Sequence, residues 1–227
     1  MSKFVPALAL ALIFFGTTAH AGIAVVDDNG TSSGRGGNTT SYAVNLPTGV
    51  QDGNLVIVAI ASDSNEAPSA PGYTARVAQG FNGGASRCFE FYHVWKTGDS
   101  TSPVFTRSAT ASDAYAVVAL SGVRDTRFID TATGTSSDPG TQVNLPGITS
   151  RNDGDMVVYA SCAEAGTTFS SPSLGDVAVQ QANTSSSVAI STFVQDQFGV
   201  IGSQKIFMDA SLVNGAAVMA LVAAPTS

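Results

Sequence analysis

Asp113-Ala114-Tyr115-Ala116-Val117-Val118-Ala119-Leu120 returns 101 residues later as Asn214-Gly215-Ala216-Ala217-Val218-Met219-Ala220-Leu221. Two further segments return in the same order. Val44-Asn45-Leu46-Pro47 reappears as Val143-Asn144-Leu145-Pro146 at an offset of 99, and Asp52-Gly53 reappears as Asp153-Gly154 at 101, each time opening an apolar run. A long repeat made of short strand-like segments points to a duplicated β unit.

Working outward, helical stripes are missing, and Thr, Ser, Gly and Val dominate between punctuating Pro and Gly residues. Strands are expected near 23–26, 41–46, 54–62, 73–79, 87–96, 104–107 and 114–121. The second copy is expected to supply 141–145, 155–162, 177–181, 188–195, 204–209 and 216–223. This spacing predicts an all-β fold, an antiparallel β-sandwich built from two sequence-related halves, about 22–131 and 141–227. A single domain over 22–227 is expected, with two tandem immunoglobulin-like sandwiches as the alternative. In Leu55-Val56-Ile57-Val58-Ala59-Ile60 both parities are apolar, so this strand needs cover on both faces. Thr131 to Gly140 reads as the joint between copies, and Gly30 to Thr40 as a polar, mobile tether.

Residues 1–21 have the form of an export signal. Lys3 is the only charge, Ala7 to Phe15 is unbroken apolar sequence, and Ala19-His20-Ala21 offers a small-residue cleavage site. The run is shorter than the roughly 18 residues a membrane span needs. Removal would leave 206 residues of 227 in a secreted, extracellular or periplasmic protein with no membrane span. With a net charge of −7 and scattered Lys and Arg, a nucleic-acid-binding stripe is absent. The only cysteines, Cys88 and Cys162, fall in different copies and are candidates for a disulfide, which would force the halves side by side. The competing reading is two buried thiols acting as small hydrophobes.

Chemistry-bearing patterns are few. Gly30-Thr31-Ser32-Ser33-Gly34 fits the nucleophile-elbow spacing, but no helix follows it. His93 is the sole histidine beyond the signal, and its parity with Phe89, Phe91 and Trp95 assigns it to a packed row and not to a triad. No cofactor is expected, with calcium the one candidate ion. Asp63 and Glu66 are its candidate ligands, since hard oxygen donors at a strand end suit calcium; Asp27-Asp28-Asn29 is a weaker cluster. The repeated Asp-Gly is read as a turn. Tyr73, Trp95, Tyr92 and Glu90 are the candidate ligand-binding residues, with Glu90 and Tyr92 sharing one strand face as a mixed polar and aromatic surface.

Pro71-Gly72-Tyr73-Thr74, Phe91-Tyr92-His93-Val94-Trp95-Lys96-Thr97-Gly98 and Ala-Tyr-Ala-Val-Val-Ala-Leu-Ser-Gly-Val, set among the repeated Leu-Pro and Asp-Gly segments, carry a resemblance. From Ser41 to Pro225 the chain resembles duplicated, jelly-roll-like β-sandwich proteins of bacterial surfaces and bacteriophage particles. The second copy departs, with Pro172-Ser173-Leu174-Gly175 at the first turn and no counterpart of Trp95. The resemblance implies a binding or structural module with no catalytic residues to transfer. The expectation is a non-catalytic adhesion module for an extracellular ligand, carbohydrate foremost. A self-associating subunit of an extracellular assembly or phage particle is the alternative, and a hydrolase a minor one.

Overall fold

The computed structural model describes residues 22–26, 31–124, 127–170 and 172–224; the expected signal segment and Asp27-Asp28-Asn29 lie outside them. The first half contributes β1 (Ala24–Val25), β2 (Thr31–Ala43), β3 (Leu55–Ser62), β4 (Thr74–Phe81), β5 (Ser86–Val94) and β6 (Val104–Ser121). The second contributes β7 (Ile129–Leu145), β8 (Ile148–Ser150), β9 (Asp155–Glu164), β10 (Phe169–Ser170), β11 (Asp176–Ala182), β12 (Ser186–Gln195), β13 (Gly199–Ile201) and β14 (Gln204–Leu221). All pairings are antiparallel, and the fold is a β-sandwich.

Each copy folds into one six-stranded sheet, and β8 and β13 of the second copy pair as a separate two-stranded ribbon. The first runs β1-β6-β3-β5-β4 with β2 also on β6, and the second runs β10-β14-β9-β12-β11 with β7 also on β14. The repeated apolar strand is therefore central in both sheets, as β6 and β14. The two sheets meet across a seam of Leu55, Ile57, Ala59, Ala61, Ala114, Ala116, Val118 and Leu120 from one copy and Val158, Ala160, Val188, Ile190, Ala217, Met219 and Leu221 from the other. Cys88 and Cys162 are bonded across this seam, with Cα atoms 5.6 Å apart.

The opposite parity of the same strands has a second cover. Val56, Val58 and Ile60 lie under Tyr42, Val44, Leu46 and Phe105, because β2 and β6 continue past the sheet and fold back over it. In the second half Val157, Tyr159 and Val218 are covered in the same way by Val143, Leu145, Ile206 and Met208 of β7 and β14. An eight-residue strand with all eight residues buried follows from this layering.

Three sequence expectations are corrected. Residues 31–40 are strand, not a tether, paired with β6 from Thr31↔Val118 to Thr39↔Ala111. Its glycines make room for rings: a Cβ on Gly34 would stand 2.3 Å from the Tyr115 hydroxyl, and one on Gly36 would stand 2.8 Å from the Tyr42 ring. Likewise 131–140 is strand, paired along β14, with exposed Pro139 beside a register shift where a missing N–H costs no ladder bond. The joint between copies is instead the short link from Gly122 to Phe128, and Gly122 takes a positive φ of 72°. The separately predicted 104–107 and 114–121 segments are one bulged strand, as are 204–209 and 216–223.

Candidate functional site: a polar pocket at one pole of the first half

The four predicted ligand residues do not come together. Strand alternation along β5 sends Cys88, Glu90 and Tyr92 into the seam, and Phe89, Phe91 and His93 to the outer layer. The expectation of an open Glu90/Tyr92 surface is thus corrected. Glu90 is 0 % exposed with neither carboxylate oxygen hydrogen-bonded, and burial raises its pKa well above the ordinary carboxyl value. Tyr92 is half-buried, its ring edge-on to Phe128 at 5.1 Å. Trp95 is half-buried against the outer layer of the first half, with its indole N–H enclosed and unpartnered.

Tyr73 packs on the same outer layer as Trp95, at the wall of a pocket. The Pro71-Gly72 turn, with Gly72 at φ 81°, places it at the start of β4 beside the end of β5, where its ring meets His93 at 4.9 Å and Phe105 at 5.2 Å. Pro71, Gly72, Tyr73, His93, Gly98, Asp99, Ser100 and Pro103 enclose a pocket of about 340 Å³. Its polar side is a fixed pair. His93 Nε2 lies 2.8 Å from Asp99 Oδ2, and Nδ1 lies 2.9 Å from the Gly72 carbonyl oxygen. Both ring nitrogens face oxygen atoms, and the two contacts fix the orientation of the ring.

Asp99 Oδ2 also accepts the Lys96 backbone N–H at 2.7 Å. The His93 hydrogen bond foremost, and then that backbone bond, hold the Asp99 carboxyl below its usual range. What remains for a ligand is the Tyr73 ring edge and Asp99 Oδ1, which has no hydrogen-bond partner among the described residues; the Tyr73 hydroxyl itself is enclosed and unpartnered. Among the described residues His93 hydrogen-bonds the Gly72 carbonyl and Asp99 and no serine hydroxyl. Ser32, the serine of the elbow-like spacing, lies within β2 and bonds the Asn45 carbonyl. It has no strand-to-helix turn to present it.

The predicted calcium ligands have other partners. Glu66 accepts the N–H groups of Ser108 (2.7 Å) and Ala109 (3.1 Å) and the Ser108 hydroxyl (2.9 Å), and Asp63 accepts the Ser112 N–H at 2.8 Å. Both carboxylates thereby hold the bulged middle of β6. The Ser108 backbone bond is the main reason the Glu66 carboxyl titrates below its usual range. Among the described residues no three His, Cys, Asp or Glu side chains gather as a metal-binding group.

Sequence reading missed a second groove, in the other half, which shares with the first pocket only the equivalent loop. There, Thr131, Thr133, Gly147, Ile148, Thr149, Arg151 and Val200 to Ser203 line a wider groove of about 510 Å³. Where the first copy has Thr97-Gly98-Asp99, the second has Phe198-Gly199-Val200, and the apolar side chains are 68 % and 79 % exposed. The two equivalent loops have therefore diverged from polar to apolar, a difference visible only once the repeat is aligned through this region. No helix among the described residues is long and apolar enough to cross a membrane. No protein-family model matches the chain, and no curated protein or solved structure is significantly similar to it.

Proposed function

We propose that the chain is an exported, non-catalytic β-sandwich binding module that takes one ring of a hydroxylated ligand, carbohydrate foremost, in the pocket between Tyr73, His93 and Asp99. The carrying observation is the pairing of an aromatic wall with a carboxylate fixed by two donors and still presenting Oδ1. A sugar hydroxyl donates to such an oxygen and a sugar face packs on such a ring. Export is supported by the leader-like first 21 residues and by the seam disulfide, which suits an oxidising compartment. The proposed partner is an extracellular or surface glycan and not nucleic acid.

A glycan array probed with the purified 22–227 protein, with and without calcium, tests this reading. Expected is a discrete set of glycans whose signal is lost in Tyr73→Ala and Asp99→Ala. Silence across the array in both conditions would end the carbohydrate reading.

A second reading, a self-associating structural subunit, is favoured by exposed Phe198 and Val200 at the same pole. Monomeric elution at high protein concentration counts against it.

A further inference from the structure

The seam between the halves contains a group that neither the ligand reading nor the apolar packing uses. Glu90 projects into it two residues from Cys88, is 0 % exposed, and has no hydrogen bond to either oxygen. Its cross-strand neighbours are Ala59 on β3 and Val77 on β4. The seam-facing residues of the packed strands are Leu55, Ile57, Ala59 and Ala61 of β3, Val77 and Phe81 of β4, Met156, Val158, Ala160 and Cys162 of β9, and Ala217, Met219 and Leu221 of β14. None of these can compensate a negative charge.

The titratable groups of those elements are placed elsewhere or occupied. Tyr92 packs on Phe128, and Glu164 at the end of β9 is held by Asn82 and by Ser86 at 3.0 Å. Arg76 of β4 is exposed, and Arg87 alternates to the other face of β5, donating to the Ala78 carbonyl. Asp155 of β9 bonds the Asn152 turn, Asp209 of β14 caps Thr167 and Thr168, and Lys205 lies on the folded-back arm paired with β7.

We propose that Glu90 is an alkaline-sensitive latch between the two halves: its protonated carboxyl keeps the seam closed, and loss of the proton loosens the seam while Cys88–Cys162 keeps the halves tethered. An ionised carboxylate with no donor in reach must draw in water or a cation, and both require the sheets to part. Burial raises the folded-state pKa above the ordinary value of 4.5, so the folded state holds a proton the unfolded state has released. The associated stability is complete below pH 4.5 and is lost as pH rises towards the folded value. In that window the folded-to-unfolded ratio falls by up to about tenfold per pH unit.

The test is urea unfolding of the disulfide-intact 22–227 protein from pH 5 to 9, with amide hydrogen exchange at both limits. Wild type is expected to lose stability with rising pH and Glu90→Gln to remove most of that slope, while Asp155→Asn, at another buried acid whose pKa is raised less, removes only a smaller part of it. Protection is expected to fall first in β4, β5 and β9. Glu90→Met, which removes the charge and the polar group together, serves where the Gln variant does not fold and carries the same expectation. A wild-type slope in the Glu90 variant overturns the proposal, as does pH-independent wild-type stability. Uniform exchange across all strands, with no earlier loss at the seam, overturns the latch.

Discussion

The carboxylate of Asp52 accepts the backbone N–H of Thr97 at 2.7 Å, and 101 residues further on Asp153 accepts the N–H of Phe198 at the same distance. In each copy the next residue is glycine at positive φ, 83° for Gly53 and 77° for Gly154, and its N–H reaches back to Trp95 or Gln195. The Asp-Gly pair therefore clamps the turn before the central strand to the loop that forms one wall of each groove. Asp52→Ala is expected to cost about 1.5–3 kcal/mol, the range for a hydrogen bond to a charged group. It should also weaken glycan binding by freeing the Thr97 to Ser100 loop, whereas Asp153→Ala should destabilise without affecting that binding. Urea unfolding and array titration of the two variants check both halves of this expectation.

The seam disulfide closes a loop of 74 residues. In the chain-entropy treatment that corresponds to about 4 kcal/mol of restriction on the unfolded chain. Cys88→Ala/Cys162→Ala is expected to lose about that much in denaturant unfolding, with m-values rising as the unfolded chain expands. Unchanged stability would mean that the apolar seam alone determines the docking of the halves.

Asn54 of the first copy caps its turn by accepting the Gln51 N–H at 2.7 Å, and the second copy has Asp155 in that position, accepting the Asn152 N–H at 3.3 Å. Burial foremost raises the Asp155 pKa above its ordinary 3.8, so its ionisation weakens the folded state as pH rises above that value. Asp155→Asn restores the first copy's solution. It is expected to be equal to or more stable than wild type at pH 7 and to lose the advantage at pH 4, measured as thermal midpoints at the two pH values.

Acid should act through other carboxylates, with the opposite sign. Glu66 and Asp209 have folded pKa values below the ordinary 4.5 and 3.8, because hydrogen bonds from Ser108 and from Thr167 and Thr168 favour the ionised forms. The stability they contribute is present above those ordinary values and disappears as pH falls through the folded ones. Glu66→Gln is expected to be less stable than wild type at pH 6 and to converge with it near pH 2. Parallel urea curves at the two pH values, with no convergence, would show that the Glu66 bonds do not depend on charge.

Much of the fold was legible because its signal is apolar. The two-faced run Leu55 to Ile60 announced a strand covered on both sides, and the repeat announced a sandwich of two sequence-related halves. Residues 31–40 and 131–140 were misread because edge strands of small polar residues share their composition with loops. What makes Thr31 to Thr40 a strand is tertiary: the backbone of β6 needs a partner, and Gly34 and Gly36 leave space for Tyr115 and Tyr42. Gly34→Val is accordingly expected to destabilise by about 1–3 kcal/mol through overpacking. Of the candidate site, Tyr73 was legible as an aromatic after a Pro-Gly turn. Asp99 was not, since its meeting with His93 depends on the Gly98 hairpin, and Glu90 was misassigned because parity identifies a shared face without saying what lies over it.

Arg107 and Asp113 form an ion pair whose side chains are both 0 % exposed, and Arg107 also donates to Ser62 at 2.8 Å. The pair lies where β6 bulges between its outer arm and its central run, so it fixes how the arm folds back over Val58 and Ile60. Desolvation is the main cost of placing the guanidinium there and lowers its proton affinity. Removing one partner leaves the other charge buried and alone, so Arg107→Leu and Asp113→Leu should each cost about 3–5 kcal/mol. The double variant removes both charges and should cost far less than the sum. A double-mutant cycle by urea unfolding reads this directly. Additive single losses would mean that the two side chains stabilise the arm independently and not as a coupled pair.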